Sequence, residues 1–188
     1  MGYHNAGFDV VGVDIEPQPN YPFEVVQADA LEYVAEYWSL FAAIHASPTC
    51  QTRARVTAWR GARDNHPDTL APMLKQLRRI PRPWVVENVT EAVVDGTLRP
   101  DVVLCGSMFG LPIRRHRAFE TSWRPFALMQ PCQHHRDDLP FMHKGERAFT
   151  DAMGCYWMTN REGRQAIPPA YTQFIGAQLL EHLRAVAA

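Results

Sequence analysis

The residues best suited to chemistry fall in four short stretches of the chain. The first is Ser47-Pro48-Thr49-Cys50-Gln51. A proline fixes the turn and leaves the cysteine on a loop, where Arg53, Arg55 and Arg117 would lower its pKa and make it a nucleophile. The same residue also reads as an incidental thiol. The second is Glu87-Asn88-Val89. A carboxylate closing a buried strand is partly desolvated, so it can hold a proton at neutral pH and donate it to a base nitrogen. The alternative is a pair that merely orders a loop. The third is Gly110-Leu111-Pro112-Ile113-Arg114-Arg115-His116-Arg117. Alternation along a strand puts Arg115 and Arg117 on one face, two guanidinium forks for a phosphate, a carboxylate or a base oxygen. A basic edge strand that guards against aggregation has the same pattern. The fourth is the acidic pair Asp14 and Asp29. An acid closing an early strand of a nucleotide-type fold takes ribose hydroxyls, and a second can accept from an adenine amino group.

The elements expected to carry these groups alternate between β-branched runs and helical periods, the pattern of an α/β fold with a mainly parallel sheet. Strands are expected at 8–15, 23–27, 42–46, 84–86, 102–105 and 117–120. Helices are expected at 30–40, 67–80 and 171–186. In the last, Ile175, Leu179, Leu183 and Val186 should face inward. Residues 49–66 read as a long loop, and 121–166 as an irregular, His- and Pro-rich stretch. Asp14, Asp29, Cys50 and Glu87 each follow a different strand, and ligands of open α/β sheets bind beyond the carboxyl ends of the strands.

The chain has 188 residues, 46% of them apolar and 21% charged, enough for a sizeable core. No apolar run reaches the roughly 18 residues of a membrane span, and no signal pattern opens the sequence. A soluble, intracellular protein without a membrane partner is expected. The net charge of −1 hides local patches. Arg53, Arg55, Arg60 and Arg63 form one, and Arg114, Arg115, His116 and Arg117 a second; both could follow a phosphate backbone or be solvated loop residues. The four cysteines form no CxxC pair. Cys132, His134, His135 and His143 could also suggest zinc, but their spacing matches no standard structural site, and no metal is expected.

Taken in order, the acid after strand one, the acid after strand two, Pro48-Thr49-Cys50-Gln51, Glu87-Asn88-Val89 and Arg115-x-Arg117 resemble the DNA cytosine-5 methyltransferase family. The resemblance runs over residues 2–120 and resumes over 167–180, where Tyr171-Thr172-Gln173-Phe174-Ile175-Gly176-Ala177 is similar to the family's last motif. This chain has Thr49 where the family usually has a second proline, Ile113 in place of a glutamine, and Ala177 in place of an asparagine. The resemblance is to compact, phage-type members. The family's opening strand and Phe-x-Gly-x-Gly turn have no counterpart here, and the chain starts within the helix that should follow them.

This resemblance implies a Rossmann-like, S-adenosylmethionine-dependent methyltransferase fold with the first strand and glycine loop missing. It implies a catalytic core over 1–120, a short insert in place of a target-recognition domain over 121–166, and a helix returning to the core over 167–188. The implied activity is transfer of a methyl group from S-adenosyl-L-methionine to C5 of a flipped cytosine in double-stranded DNA, in a bacterial or phage-infected cytoplasm and a restriction-modification setting, with no obligatory protein partner. Cys50, Glu87, Arg115 and Arg117 take the catalytic roles. Asp14, Ile15, Asp29, Ala30, Pro48, Gly176 and Ala177 surround the donor. Gln51, Arg53, Arg55, Asn88 and Arg114 contact DNA. Two rivals stay open: a catalytically inactive DNA-binding remnant or partner subunit, and the same chemistry on RNA or a free nucleotide.

Overall fold

The computed structural model describes residues 1–50, 67–140 and 148–187. In chain order the first elements are α1 (Gly2–Asn5), β1 (Val11–Asp14), β2 (Glu24–Gln27), α2 (Ala30–Tyr37) and β3 (Ile44–Ala46). Then come α3 (Leu70–Leu77), β4 (Trp84–Asn88), α4 (Glu91–Val94), β5 (Val102–Leu104), β6 (Ile113–Arg114) and β7 (Arg117–Thr121). The last are β8 (Leu139–Pro140), α5 (Ala148–Met153), α6 (Asn160–Gln165) and α7 (Pro169–Ala187). The chain divides into two compact units of interleaved segments. One comprises Met1–Ala30, Leu104–Arg115 and Leu128–Ala188, the other Leu31–Val103 and His116–Ala127.

The unit of residues 31–103 and 116–127 is built on a sheet of order β3-β4-β7-β5. β4 lies inside that sheet and is buried at every position, which is why it reads as an unbroken apolar run up to Glu87. β3 runs parallel to it, Ile44 opposite Trp84 and Ala46 opposite Val86. β7 runs antiparallel, Glu87 opposite Phe119 and Asn88 opposite Ala118. This pairing carries β4 two residues past the expected end, so Glu87 and Asn88 belong to the strand itself. Leu70, Met73, Leu74 and Leu77 recur every three or four residues along α3 and pack with Trp84, Val86, Ala92 and Leu98. Each such side chain stabilises the fold by about 1.5–3 kcal/mol when fully buried. α3 begins at Leu70 rather than Pro67 because the Asp68 carboxylate accepts the Leu70 N–H at 3.1 Å and turns the chain there.

In the other unit β1 and β2 form a parallel pair, Val11 opposite Glu24 through Asp14 opposite Gln27. β1 was expected to be a buried strand. It is half-buried throughout, and among the described residues β2 is its only strand partner. α1 packs along α7. A side chain in place of Gly2 would strike the Pro169 carbonyl and the Thr172 hydroxyl, and a Cβ on Gly176 would come within 2.9 Å of Ala6 and of the Tyr3 ring. Pro169 opens α7, where its missing N–H costs nothing. The helix buries Tyr171, Thr172, Ile175, Gly176 and Leu179, but Val186 is 73% exposed rather than inward.

The stretch 121–166 is more ordered than its composition implies. Phe149, Ala152 and Met153 of α5 cluster with Ile113 and Cys155. α6 starts on a capping box in which the Glu162 carboxylate accepts the Thr159 N–H at 2.7 Å and Thr159 accepts back from Glu162. β8 pairs in parallel with β6. The molecule is thus mixed α/β, and the pairings β1–β2, β3–β4 and β6–β8 are parallel while β4–β7 is not. Among the described residues no helix is long and apolar enough to cross a membrane.

Candidate active site

The parallel register of β3 and β4 sends both strands out of the sheet at one edge. Beyond Ala46 the chain enters the loop 47–50, and beside it, beyond Val86, comes Glu87. Hydrogen bonds from neighbouring segments hold the loop. The Asn88 amide donates to the Pro48 carbonyl at 3.0 Å, and the Thr49 N–H donates to the Thr69 hydroxyl at 3.0 Å. The Asn88 side-chain oxygen in turn accepts the Val89 N–H. Cys50 follows this pinned segment and is half-buried.

Glu87 is held by Arg117. In an antiparallel pair the residue two positions from the one directly opposite lies diagonally on the same face. Glu87 faces Phe119, so Arg117 falls in that place, and its Nε lies 2.8 Å from Glu87 Oε1. The two side chains are only 7% and 13% exposed, Glu87 and Arg117 respectively. Arg117 Nη1 donates to the His116 carbonyl at 2.8 Å, which fixes the fork. The result is a desolvated, oriented carboxylate on the same sheet edge as a tethered cysteine loop. Such a group can accept hydrogen bonds from a bound polar ligand. Thr69 is a latch that sequence reading missed, and nothing in its surroundings marks it.

Arg115 is placed differently from the expectation. The strand breaks after Arg114 and restarts at Arg117, so Arg115 and Arg117 do not share a face of one strand. Arg115 is 2% exposed. Its guanidinium donates to the Arg164 carbonyl at 2.9 Å and to that of Ala166, and it lies over the Phe149 ring at 5.5 Å. Its own carbonyl accepts the Tyr171 hydroxyl at 2.6 Å. Arg115 thus ties the start of α7 and the end of α6 to β6. Arg114 sits in β6 opposite Pro140.

Asp14, Ile15, Asp29 and Ala30 gather at the carboxyl end of the β1–β2 pair. Asp14 Oδ1 accepts the Glu16 N–H at 2.8 Å, and the Asp14 carbonyl accepts the Ala28 N–H. Ile15 is 67% exposed, an apolar face turned outward. Asp29 and Ala30 are exposed. At the far end of the expected set, Gly176 is filled by Tyr3 and Ala6, and Ala177 is exposed. Gln51, Arg53 and Arg55 lie outside the described residues.

Among the other thiols, Cys155 is buried, and that burial pushes its pKa up to about 11 against the opposing charge of Arg115. It stays a protonated, inert thiol at neutral pH. No protein-family model matches the chain, and no curated protein was found that matches it.

Proposed function

We propose that the chain is an S-adenosylmethionine-dependent DNA cytosine-5 methyltransferase core of Rossmann-like type, with Cys50 as its nucleophile. One observation carries the reading. The buried Glu87 carboxylate, fixed by Arg117 at 2.8 Å, adjoins the strand residue Asn88 that tethers the Cys50 loop through Pro48. An incidental cysteine and an incidental acid have no need of this shared support.

The Cys50 thiolate forms a bond to C6 of cytosine, and the electron pair of the C5–C6 double bond becomes available at C5. Glu87 hydrogen-bonds or protonates N3, which stabilises the negative charge as it develops. Arg117 keeps the carboxylate in place while this happens. S-adenosylmethionine, when bound, supplies the electrophilic methyl group. A water molecule takes the C5 proton, the C5–H electron pair restores the double bond, and the C6–S bond breaks so that Cys50 leaves as a thiolate. The base must be out of the duplex for Cys50 to reach it.

The donor's adenosine half fits residues of the β1–β2 end. Asp14 offers a carboxylate whose turn is already fixed by Glu16, and exposed Ile15 offers an apolar face for a purine. Gly176 does not fit the role of a cradle, because Tyr3 and Ala6 fill the space above it.

The test is a trapping reaction with the donor and DNA containing 5-fluorocytosine, read on a denaturing gel. Fluorine blocks the final proton loss, so a Cys50-dependent covalent band is expected, and Cys50→Ala should lose it while still binding the donor. Methyl transfer that survives Cys50→Ala would sink the mechanism. A second reading, a DNA-binding chain without activity, is favoured by Arg115, whose guanidinium is engaged by backbone carbonyls rather than turned to a base. DNA binding with no adduct selects it.

A further inference from the structure

Cys105, Cys132 and His134 belong to the same unit, and the methyltransferase reading uses none of them. We propose that these three side chains form a zinc site that fastens the segment around residues 132–138 to the turn after β5. Their donor atoms lie within 4.8 Å of one another, and Cys105 Sγ is 3.2 Å from His134 Nε2. Ligands around a tetrahedral zinc, with bonds of about 2.3 Å to sulfur and about 2.0 Å to nitrogen, stand about 3.5–3.8 Å apart. The cluster needs only small side-chain adjustments to reach that spacing.

The backbone brings these donors together by several independent contacts. Cys105 is 1% exposed and caps the 3-10 turn Gly106–Phe109, its N–H directed at Met108 Sδ at 3.2 Å. Gly106 lies so close to the Ile113 carbonyl that no side chain fits, which seats the turn on β6. From that turn the Ser107 hydroxyl accepts the Gln133 N–H at 3.2 Å, holding the residue between the two remaining ligands. On the other side Asp138 accepts the His135 N–H at 2.8 Å, and β8 follows directly and pairs with β6. Cys105 and His134 are 29 residues apart in sequence. The donors nonetheless meet without the short CxxC spacing that would have marked a site.

The donor chemistry selects the ion. Two sulfurs and an imidazole suit zinc, and with no oxygen donor in the set magnesium and calcium are poor occupants. Binding releases the two thiol protons as the sulfurs become thiolates. Three protein ligands leave one position for water or another donor. A disulfide is the competing fate of the two sulfurs, and it would bring them to about 2.05 Å.

The full chain, purified under reducing conditions and stripped of metal with a chelator, is titrated with cobalt(II) and then with zinc. One equivalent should bind, with the thiolate-to-cobalt charge-transfer band and the intense visible bands of a tetrahedral site. Zinc should displace the cobalt. Cys132→Ser and His134→Ala, both at exposed positions, should each weaken zinc by more than the 10–100-fold that loss of an outer-shell partner costs. His135→Ala and Cys50→Ser should bind as the parent does. The second control keeps this result separate from that of the trapping reaction. The proposal is overturned by binding that is absent or not stoichiometric, by equal loss in His135→Ala, or by a Cys105–Cys132 disulfide that persists in the zinc-supplied protein.

Discussion

Glu87 and Arg117 show how a carboxylate is kept inside a sheet. Removing one member of a buried pair leaves the other charged, desolvated and alone. Arg117→Ala is therefore expected to lower stability by about 3 kcal/mol in urea unfolding. Glu87→Gln should cost less, because Arg117 keeps its bond to the His116 carbonyl and the amide oxygen still accepts. Equal costs for the two would mean that the pair does not act as a unit. His45, on β3 behind the cysteine loop, gives a pH signature. Its ring nitrogen bonds to the Ser47 hydroxyl at 2.9 Å, and burial lowers its pKa from 6.5 to about 4. Above pH 6.5 the ring is neutral in both states and the full stability is present. Between 6.5 and about 4 the unfolded chain takes up a proton that the folded chain refuses. Stability should fall by about 1–2 kcal/mol over that window, after discounting for the half-buried position. His45→Gln should flatten this limb in denaturant titrations at successive pH values.

Among the elements, glycine and capping residues set the geometry of the unit that contains α7. Gly176→Ala should destabilise by about 1–3 kcal/mol, since its methyl would strike Tyr3 and Ala6 across the α1–α7 contact. A thermal melt unchanged by the substitution would contradict that packing. Thr159→Ala should cost about 1 kcal/mol through loss of the α6 cap. The elements that were legible in sequence were those whose burial is simple. β4 reads as a strand because it is buried on both faces, and α3 because its leucines and methionine keep one face inward. α5 and α6 were missed because each is only six residues long and α6 is polar, although Thr159-x-x-Glu162 is itself a helix-start signal. That Glu87 and Cys50 lie near the carboxyl ends of two strands was legible, although β4 runs on through Glu87 to Asn88. The commitment of Arg115 to carbonyls 49 and 51 residues away was not, because alternation along one assumed strand carries no information about distant partners. The same holds for Cys105 and His134.

At the scale of the whole molecule, a net charge of −1 gives no general attraction to DNA. If the proposed function holds, binding rests on local cations. Arg115 and Arg117 are occupied by carbonyls and by Glu87. Under that proposal Arg114 and the arginines at 53, 55, 60 and 63 are the candidates for phosphate contacts. Each contact adds about 0.9 to the slope of log affinity against log salt. Arg53→Ala should reduce the slope measured by fluorescence anisotropy by about that amount, whereas a slope unchanged by it would take the loop out of the DNA surface.

The interleaving of the two units also bears on how the chain is made. Residues 31–127 contain the whole of one unit, so it can close as soon as residue 127 leaves the ribosome. Met1–Ala30, which precede that unit in the chain, belong with Leu128–Ala188, and α1 gains its packing partner only when α7 emerges. About 60 residues separate these events, roughly 3–12 s at a usual elongation rate of 5–20 residues per second. During that interval Tyr3 and Ala6 lack the helix face at Gly176 that they pack against. A segment made before residue 31 is thus sheltered only after residue 127, and it is there that a chaperone would find its hold.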